Sequence, residues 1–411
     1  MANDFNSLIP DTRRFLEQEM KHLIGDNWVK SSKSGSFPVI DPSSGSILTE
    51  IPKGTSQDID EAVQVANATL NDPLWRDMPP ASREKLMHRF ADLIEGHAEE
   101  LGQLEALDVG MPSVVGQFVE VGNVIETLRY MAGWPTKLNG KTMDIGEPIP
   151  EKRFFAYTKR EPVGVVGAII PWNVPLMIAM WKIAPTLATG CTIVIKPSEV
   201  TPLATLRLAE LALDAGIPPG VINVVNGLGN EAGQALVEHP LVSKISFTGS
   251  VATGKLINKT ATDTLKNVTL ELGGKSPVIV LDDADLEKAS KGISMGIFGN
   301  TGQVCVAGSR LYIQRRVFDE AVERISKEAR SLKVGPGLHP ETKIGPLVSK
   351  DHRDKVISYI DAGLKSGAET ITGGSVIDGP GYYIEPTVLS NVSQSSKVVQ
   401  EEIFGPVITA I

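Results

Sequence analysis

Cys305 is the residue with the clearest capacity for covalent chemistry. It lies in the glycine-rich segment Phe298-Gly299-Asn300-Thr301-Gly302-Gln303-Val304-Cys305-Val306-Ala307-Gly308-Ser309. A cysteine thiolate is a strong nucleophile where a nearby base or a favourable environment supplies it. The flanking glycines allow a substrate to approach the backbone closely. Cys305 is therefore a candidate nucleophile, although a lone cysteine is also common as a small buried apolar residue.

Cys191 is the second of the two cysteines in the chain. The apolar, strand-like residues 192–195 follow it, so we interpret it as structural. Two cysteines far apart in sequence cannot form a disulfide framework, and no CxxC pair indicates zinc. The sequence therefore predicts no metal site.

Glu271 and Asn173 could supply the polar groups of the same reaction. Glu271 stands between leucines in Leu270-Glu271-Leu272-Gly273-Gly274-Lys275, and Asn173 ends the segment Pro171-Trp172-Asn173. Burial between apolar side chains would strengthen a carboxylate as a general base. An asparagine amide at a strand end can donate a hydrogen bond to an oxyanion. In isolation, the alternatives are a surface glutamate and an ordinary turn asparagine.

Two glycine-containing turns and one charged segment could bind a nucleotide. Gly249-Ser250-Val251-Ala252-Thr253-Gly254 joins a predicted strand to a predicted helix, where backbone N–H groups can face a phosphate. Gly227-Leu228-Gly229-Asn230-Glu231-Ala232-Gly233 resembles GxGxxG with its last glycine one residue too far, so it is a weaker candidate for the pyrophosphate loop and could instead line the adenosine side. In Lys196-Pro197-Ser198-Glu199, the acidic side chain could accept from ribose hydroxyls and repel a 2′-phosphate, which favours NAD over NADP. A solvated Lys–Glu pair is the alternative for that segment.

The elements that must position these residues alternate between strand and helix patterns from residue 163 onward. Predicted strands cover residues 163–170, 192–196, 221–225, 244–248, 268–272, 278–281, 311–314 and 406–411. Predicted helices cover residues 178–188, 202–215, 231–238, 254–262, 285–298 and 318–332. This alternation predicts an α/β fold with parallel sheets, whose ligands bind at the carboxyl ends of the strands.

The first part of the chain has a different pattern. Residues 22–29 and 37–41 indicate short strands, and residues 56–70, 80–108 and 112–134 have the apolar spacing of helices. Residues 1–20 indicate a loose arm or a short helix. Residues 139–160 combine turn residues with a strand-like end, which fits an arm between domains or subunits, or a simple surface hairpin.

Composition excludes several classes of protein. The chain has 411 residues, 42% of them hydrophobic and 22% charged, and a net charge of −9 with no basic cluster, which argues against a nucleic-acid partner. Met1-Ala2-Asn3-Asp4-Phe5 lacks the features of a signal peptide, and no apolar run approaches the ~18 residues of a membrane span. We expect a cytoplasmic protein that does not bind membranes.

Taken together, these segments resemble the NAD(P)-dependent aldehyde dehydrogenase superfamily, from about residue 22 to the end of the chain. The motifs that carry the resemblance occur in the family order and include those above, with Phe247-Thr248-Gly249-Ser250, Gly302-Gln303-Val304-Cys305 and Glu402-Ile403-Phe404-Gly405-Pro406. The resemblance implies that Cys305 attacks an aldehyde and that Asn173 and the Cys305 N–H hold the oxyanion. It also implies that Glu271 activates water against the thioester. Lys182 is similar to a family lysine near the base.

The same resemblance implies NAD as cofactor and a set of contacts to it. The positions that match cofactor contacts are Trp172, Lys196, Glu199, Gly229, Phe247, Gly249, Ser250, Gly254, Leu272, Glu402 and Phe404. It implies an NAD-binding domain of residues 1–138 and 161–274, an oligomerisation arm of residues 139–160 and a catalytic domain of residues 275–411. A homodimer or homotetramer is the implied assembly.

The family pattern continues well past Ile411, so the resemblance implies a catalytic domain that is incomplete at its C-terminus. Because proteins have only about 5–15 kcal/mol of stability, loss of packed residues would matter. We expect this chain as written to express poorly or to be inactive.

The substrate is less constrained by the sequence than the reaction. Residues 137–146 and 297–309 look most similar to the phenylacetaldehyde-type branch, which oxidises aromatic or arylalkyl aldehydes. Apolar tunnel walls could come from Trp134, Met177, Met180, Trp181 and Phe298, which could equally be core residues. Betaine-type or broad aliphatic specificity remains an alternative. Acyl transfer to coenzyme A is disfavoured by the presence of Glu271, and a non-catalytic scaffold by the intact Cys305, Glu271 and Asn173.

Overall fold

A computed structural model describes residues 4–32, 35–146 and 149–411. Several predictions fall partly outside these ranges. They are the absence of a signal peptide at residues 1–3, the N-terminal domain at residues 33 and 34, and the arm at residues 147 and 148.

The strands of the described residues form two large sheets and two small hairpins. They are β1 (His22–Ile24), β2 (Asn27–Val29), β3 (Ser36–Ile40), β4 (Ile47–Pro52), β5 (Thr142–Met143), β6 (Ala156–Tyr157), β7 (Val165–Ile169), β8 (Thr192–Lys196), β9 (Ile222–Val224), β10 (Val242–Gly249), β11 (Asn267–Leu272), β12 (Pro277–Val280), β13 (Arg310–Ile313), β14 (Glu369–Thr372), β15 (Thr387–Ser390) and β16 (Val407–Ala410).

The α-helices pack on these sheets and on one another. They are α1 (Pro10–Leu16), α2 (Ser56–Asn71), α3 (Pro73–Arg76), α4 (Pro80–Gly96), α5 (Ala98–Asp108), α6 (Ser113–Val115), α7 (Val121–Ala132), α8 (Pro175–Thr189), α9 (Leu203–Asp214), α10 (Gln234–Glu238), α11 (Val251–Ala261), α12 (Leu286–Phe298), α13 (Phe318–Ser331), α14 (Lys350–Lys365) and α15 (Lys397–Gln400).

The first sheet has the order β11-β10-β7-β8-β9-β1-β2, and its strands from β7 to β11 run parallel. Strands β7, β8 and β9 are buried along their whole length, as expected for central strands covered by helices on both faces. This confirms the predicted α/β fold. The carboxyl ends of β7, β10 and β11 therefore lie side by side at one edge of the sheet.

The first sheet also has an antiparallel edge that the sequence did not predict. Strand β1 pairs antiparallel with β9, and β2 pairs antiparallel with β1. Only Gly25 and Asp26 connect β1 to β2, and a connection that short can only form a hairpin. Gly25 has φ +68°, as such a tight turn requires.

The second sheet has the order β12-β13-β16-β15-β14, with β14 antiparallel to the parallel remainder. The predicted strand at residues 406–411 is β16, which lies between β13 and β15. Helix α14 and strands β14 and β15 were not predicted. The two sheets use residues 22–272 and 277–410, which is compatible with the proposed domain division, and that division stays a prediction.

Two long predicted helices are interrupted. The helix predicted for residues 80–108 ends at Gly96 and restarts at Ala98, because His97 leaves the helical conformation. In place of a helix over residues 112–134, α6 leads into a π-helical turn, Gly116–Glu120, before α7. Within the described residues, no helix combines the length and apolarity needed to cross a membrane.

The predicted arm contains the two-stranded hairpin β5–β6, so strand pairing is shorter than the strand-like residues 153–160 suggested. The N-terminal prediction of a short helix is confirmed by α1, which buries Thr12 and Phe15.

Candidate active site

A cavity of about 220 Å³ opens at the carboxyl ends of β7, β10 and β11. Of the residues singled out from the sequence, it is lined by Trp172, Asn173, Gly249, Ser250, Glu271, Leu272, Cys305, Glu402 and Phe404. The cavity thus joins segments that are up to 232 positions apart, from Trp172 to Phe404. The remaining candidates lie outside its lining and are Lys182, Lys196, Glu199, Gly229, Phe247 and Gly254.

The cysteine segment leaves α12 through a tight turn in the left-handed backbone region. Asn300, Thr301 and Gly302 have φ values of +47°, +57° and +71°. Two buried side chains hold this turn in place. Thr301 Oγ1 donates to the carbonyl of Gly345 at 3.1 Å, and Gln303 Oε1 accepts from the backbone N–H of Val348 at 3.0 Å. Backbone angles in this unfavourable region are stable only where the surrounding contacts hold the backbone in place.

Asn173 connects the end of β7 to that turn. Its side chain is buried, with 4% exposed, and Nδ2 donates to the carbonyl of Gln303 at 2.8 Å. Asn300 Nδ2 donates back to the carbonyl of Asn173, also at 2.8 Å. A carboxamide has two N–H groups, so one of them remains for an oxyanion beside Cys305. This arrangement is compatible with the role inferred for Asn173.

The Cys305 thiol is half-buried, whereas Cys191 is buried in the core as predicted. Burial raises the pKa of Cys305, and the nearby carboxylates of Glu402 and Glu271 raise it further. The backbone N–H groups of Cys305 and Val306 act in the opposite direction, because they can donate to a thiolate. Cys305 therefore needs a base or a bound cationic group to form the thiolate readily.

The predicted burial of Glu271 is wrong. Strand β11 is the edge of its sheet, and exposure alternates along it, so Glu271 is exposed while Leu270 and Leu272 face the core. Alternation follows from the two-residue period of a strand. Glu271 thus reaches the cavity from its solvent side, where water has access to the carboxylate.

Lys182 lies on α8. Its Nζ donates to Ser246 Oγ and Thr248 Oγ1, each at 3.0 Å. Burial lowers the pKa of Lys182 to about 8, and the charge of Glu271 partly opposes that shift. Because Thr248 lines the cavity, Lys182 is one hydrogen bond away from it.

Glu402 contacts the glycines that follow Glu271 in the chain. Its Oε1 accepts from the backbone N–H of Gly274 at 3.2 Å. A Cβ at Gly273 would overlap the Glu402 carboxylate, so only glycine permits this approach. Burial raises the pKa of Glu402, with the Gly274 hydrogen bond and nearby lysines opposing the shift.

The other cofactor candidates lie along the first sheet. Lys196 is 3% exposed and pairs with Glu199 at 3.1 Å, so the alternative of a solvated pair is wrong for the lysine. Ser250 caps the first turn of α11 and accepts from the N–H of Thr253. Gly254 lies on the same helix, where a Cβ would come within 2.7 Å of Leu272, so it permits close packing of the helix on β11.

Two further candidates have other environments. Gly229 begins a π-helical turn and has open space around the position of a Cβ. Phe247 is buried, and its ring packs within 2.6 Å of where a Gly249 Cβ would stand. Phe247 therefore accounts for the glycine at 249.

Of the proposed tunnel residues, Met180 and Phe298 are core residues, with 0% and 1% exposed. Trp134 and Trp181 are exposed. Trp181 Nε1 donates to Asn123 Oδ1 at 3.0 Å.

His352 and Lys355 also line the cavity and were missed from the sequence. Both are on α14, which the sequence analysis did not assign. A signal was present, because buried Val356, Tyr359, Ile360 and Gly363 follow helical spacing and Ser349 caps the start.

Comparison with known proteins gives a consistent result. The model of the aldehyde dehydrogenase family matches residues 28–411. Phenylacetaldehyde dehydrogenase of Pseudomonas fluorescens is 47% identical over 94% of this chain and 78% of its own length. Putative aldehyde dehydrogenase DhaS of Bacillus subtilis is 48% identical over 97% of this chain and 79% of its own length.

Comparison with solved structures gives the same family. The NAD⁺ complex of an aldehyde dehydrogenase from Bacillus cereus has a TM-score of 0.95 and 44% identity, covering 98% of this chain and 81% of that one. Betaine aldehyde dehydrogenase from Staphylococcus aureus, solved in complex with NAD⁺, has a TM-score of 0.93 and 37% identity, covering 99% of this chain and 80% of that one.

Proposed function

The chain belongs to the aldehyde dehydrogenase family, and from this membership we propose that Cys305, Asn173 and Glu271 carry out the oxidation of an aldehyde to its carboxylic acid with NAD. The observation that carries the proposal is that all three line one cavity at the carboxyl ends of parallel strands. Ligands of open α/β sheets bind at this edge.

The residues around the cavity fit a dinucleotide. Ser250 stands at the N-terminus of α11, where backbone N–H groups favour an anion. Glu199 is held by Lys196 at the end of β8, and its carboxylate can accept from ribose hydroxyls. Glu402 and Phe404 would contact the nicotinamide side, next to Cys305. When bound, NAD supplies a hydride acceptor.

The first step for this chain is attack of the Cys305 thiolate on the aldehyde carbon. The carbonyl oxygen becomes an oxyanion as the C–S bond forms. The free N–H of Asn173 and the backbone N–H of Cys305 donate to that oxygen and stabilise the thiohemiacetal. Loss of hydride from the same carbon then leaves a thioester on Cys305.

Glu271 acts in the second step. Its exposed carboxylate takes a proton from water, and the hydroxide adds to the thioester carbon. The C–S bond breaks, the carboxylic acid leaves and Cys305 regains its thiolate. Lys182, linked to the cavity through Thr248, is placed to exchange protons with Glu271 because burial brings its pKa to about 8.

For the substrate, we propose an aromatic or arylalkyl aldehyde such as phenylacetaldehyde. Its support is the identity to phenylacetaldehyde dehydrogenase over 94% of this chain. Betaine-type or broad aliphatic specificity is the alternative, supported by the likeness to betaine aldehyde dehydrogenase.

For the assembly, we propose a homodimer or homotetramer formed through the β5–β6 hairpin. The hairpin segment exposes apolar side chains that a second copy would cover, namely Met143, Ile145, Ile149, Phe154, Phe155 and Tyr157.

The test is NADH formation by the purified complete protein with a panel of aldehydes, with NADP in parallel. We expect the Cys305→Ala variant to form no NADH, because it removes the thiol that forms the thiohemiacetal and holds the acyl intermediate. Cys191→Ala is the matched control, since it removes a buried core thiol and should retain activity. NADH formation by Cys305→Ala at the wild-type rate would refute the mechanism.

A further inference from the structure

His352 connects helix α14 to the segment that carries Phe404. Its ring Nε2 lies 2.7 Å from the carbonyl oxygen of Phe404. The ring also packs edge-on to Trp172, with centroids 4.9 Å apart, and Trp172 packs edge-on to Phe404 at 5.3 Å. All three rings line the cavity.

Burial and the hydrogen bond together define the charge and the tautomer of the His352 ring. Desolvation lowers the pKa of His352 to about 4, so the ring is neutral at neutral pH. A neutral imidazole has a single N–H, and donation to a carbonyl requires that N–H on Nε2. His352 is thus a neutral donor whose strength does not change across the physiological pH range.

Phe404 is the residue that needs this support. Its φ of +61° is in the left-handed region, which is costly for a bulky aromatic residue. The next residue, Gly405, packs on α14 so closely that a Cβ there would stand 2.6 Å from Val356. Helix α14 therefore holds the Phe404-Gly405 turn through one hydrogen bond from His352 and the packing of the Val356 side chain against Gly405.

This turn transmits its position to both catalytic segments. Gly302, in the turn before Cys305, packs so closely on Gly405 that a Cβ would overlap the Gly405 carbonyl. Two residues before Phe404, Glu402 accepts from the Gly274 N–H beside Glu271. A shift of the Phe404 backbone would thus change the cavity at the cofactor side first.

We propose that His352 is a positioning residue for the cofactor, which holds Phe404 in its left-handed conformation and so sets the shape of the nicotinamide side of the cavity. The inference rests on the proposed function, because it assumes that NAD occupies this cavity. His352 does not touch the reacting atoms in this proposal and acts through Phe404.

Two substitutions at His352 distinguish the effect of its N–H donor from the effect of its aromatic ring. His352→Phe keeps an aromatic ring against Trp172 but leaves the Phe404 carbonyl without its donor. His352→Gln keeps an N–H donor at a similar reach from the backbone but removes the aromatic ring. His339→Gln, at an exposed histidine, is the matched control. The dissociation constant for NAD is measured by calorimetry without aldehyde, and KM values and thermal stability are measured alongside.

We expect His352→Phe to weaken NAD binding about tenfold, the size of effect that follows from one lost hydrogen bond. The KM for NAD should rise in parallel while the KM for the aldehyde stays nearly constant. His352→Gln should restore most of the NAD affinity, which a purely structural role would not produce if both variants fold equally well. His339→Gln should bind NAD like the wild type.

Unchanged NAD affinity in a folded His352→Phe protein would overturn the inference, and so would equal losses in His352→Phe and His352→Gln. Failure of the proposed function has a different signature. In that case the wild-type protein itself would neither bind NAD nor form NADH with any aldehyde, and the role of His352 would fall with it.

Discussion

Asn173→Ala tests the proposed role of Asn173 as an oxyanion donor in the cavity that Cys305 also lines. The substitution removes a buried amide that donates to the Gln303 carbonyl at 2.8 Å. It also removes the second N–H, which we assign to the oxyanion. Loss of one such donor costs about 10²–10³ in kcat, or about 3–4 kcal/mol of transition-state stabilisation. The unpaired Gln303 carbonyl adds about 1–3 kcal/mol of lost stability.

The control must lose a hydrogen bond of the same network without losing the donor. Asn300→Gly does so, because Asn300 donates to the Asn173 carbonyl at 2.8 Å and glycine accepts its φ of +47° without strain. We expect Asn300→Gly to lower thermal stability with a reduction in kcat of less than about tenfold.

The assay is the first-turnover burst of NADH, with the rate of Cys305 alkylation by iodoacetamide as a check on the thiol itself. We expect Asn173→Ala to lose the burst while its thiol is alkylated at a nearly normal rate. The reasoning would be refuted by a burst within about threefold of wild type in Asn173→Ala, or by equal losses in Asn300→Gly.

Two further predictions concern the cysteine segment. The charge of Glu402 raises the pKa of Cys305, so Glu402→Gln should lower that pKa. The rate of Cys305 alkylation by iodoacetamide should then begin to rise at a lower pH than in the wild type. A shift to higher pH would contradict the proposed effect of the Glu402 charge. In Gly302→Ala, the new methyl group would overlap the Gly405 carbonyl at a backbone φ of +71°, so we expect a melting temperature several degrees lower and loss of activity. Gly299→Ala is the control, because the position of its Cβ has open space around it, and its melting temperature should stay close to that of the wild type. Equal melting temperatures of the two variants would contradict the packing argument.

Much of the fold could be predicted because local patterns report it. The predicted strand at residues 192–196 is β8 to the residue, since a continuous apolar run bounded by turns has few other interpretations. The convergence of Asn173 and Glu271 also followed from the sequence, because both end parallel strands of one sheet and such ends share an edge.

Other features could not be predicted because they depend on where each strand lies in its sheet. The sequence places Glu271 between two leucines, yet β11 is an edge strand and Glu271 faces away from the core. The hairpin of β1 and β2 similarly joins the sheet antiparallel, which neither strand's own pattern indicates. Sheet order is a property of the assembled chain.

The sequence by itself identified Cys305, Glu271 and Asn173 as candidate reacting residues, because each proposed chemical role needs a particular side chain in a particular local turn. Only the tertiary structure decided their surroundings: which face Glu271 presents, which carbonyl Asn173 bonds, and that His352 supports Phe404. These contacts join residues far apart in the chain. They form through packing of whole elements, and local periodicity contains no information about the partner that packing will bring.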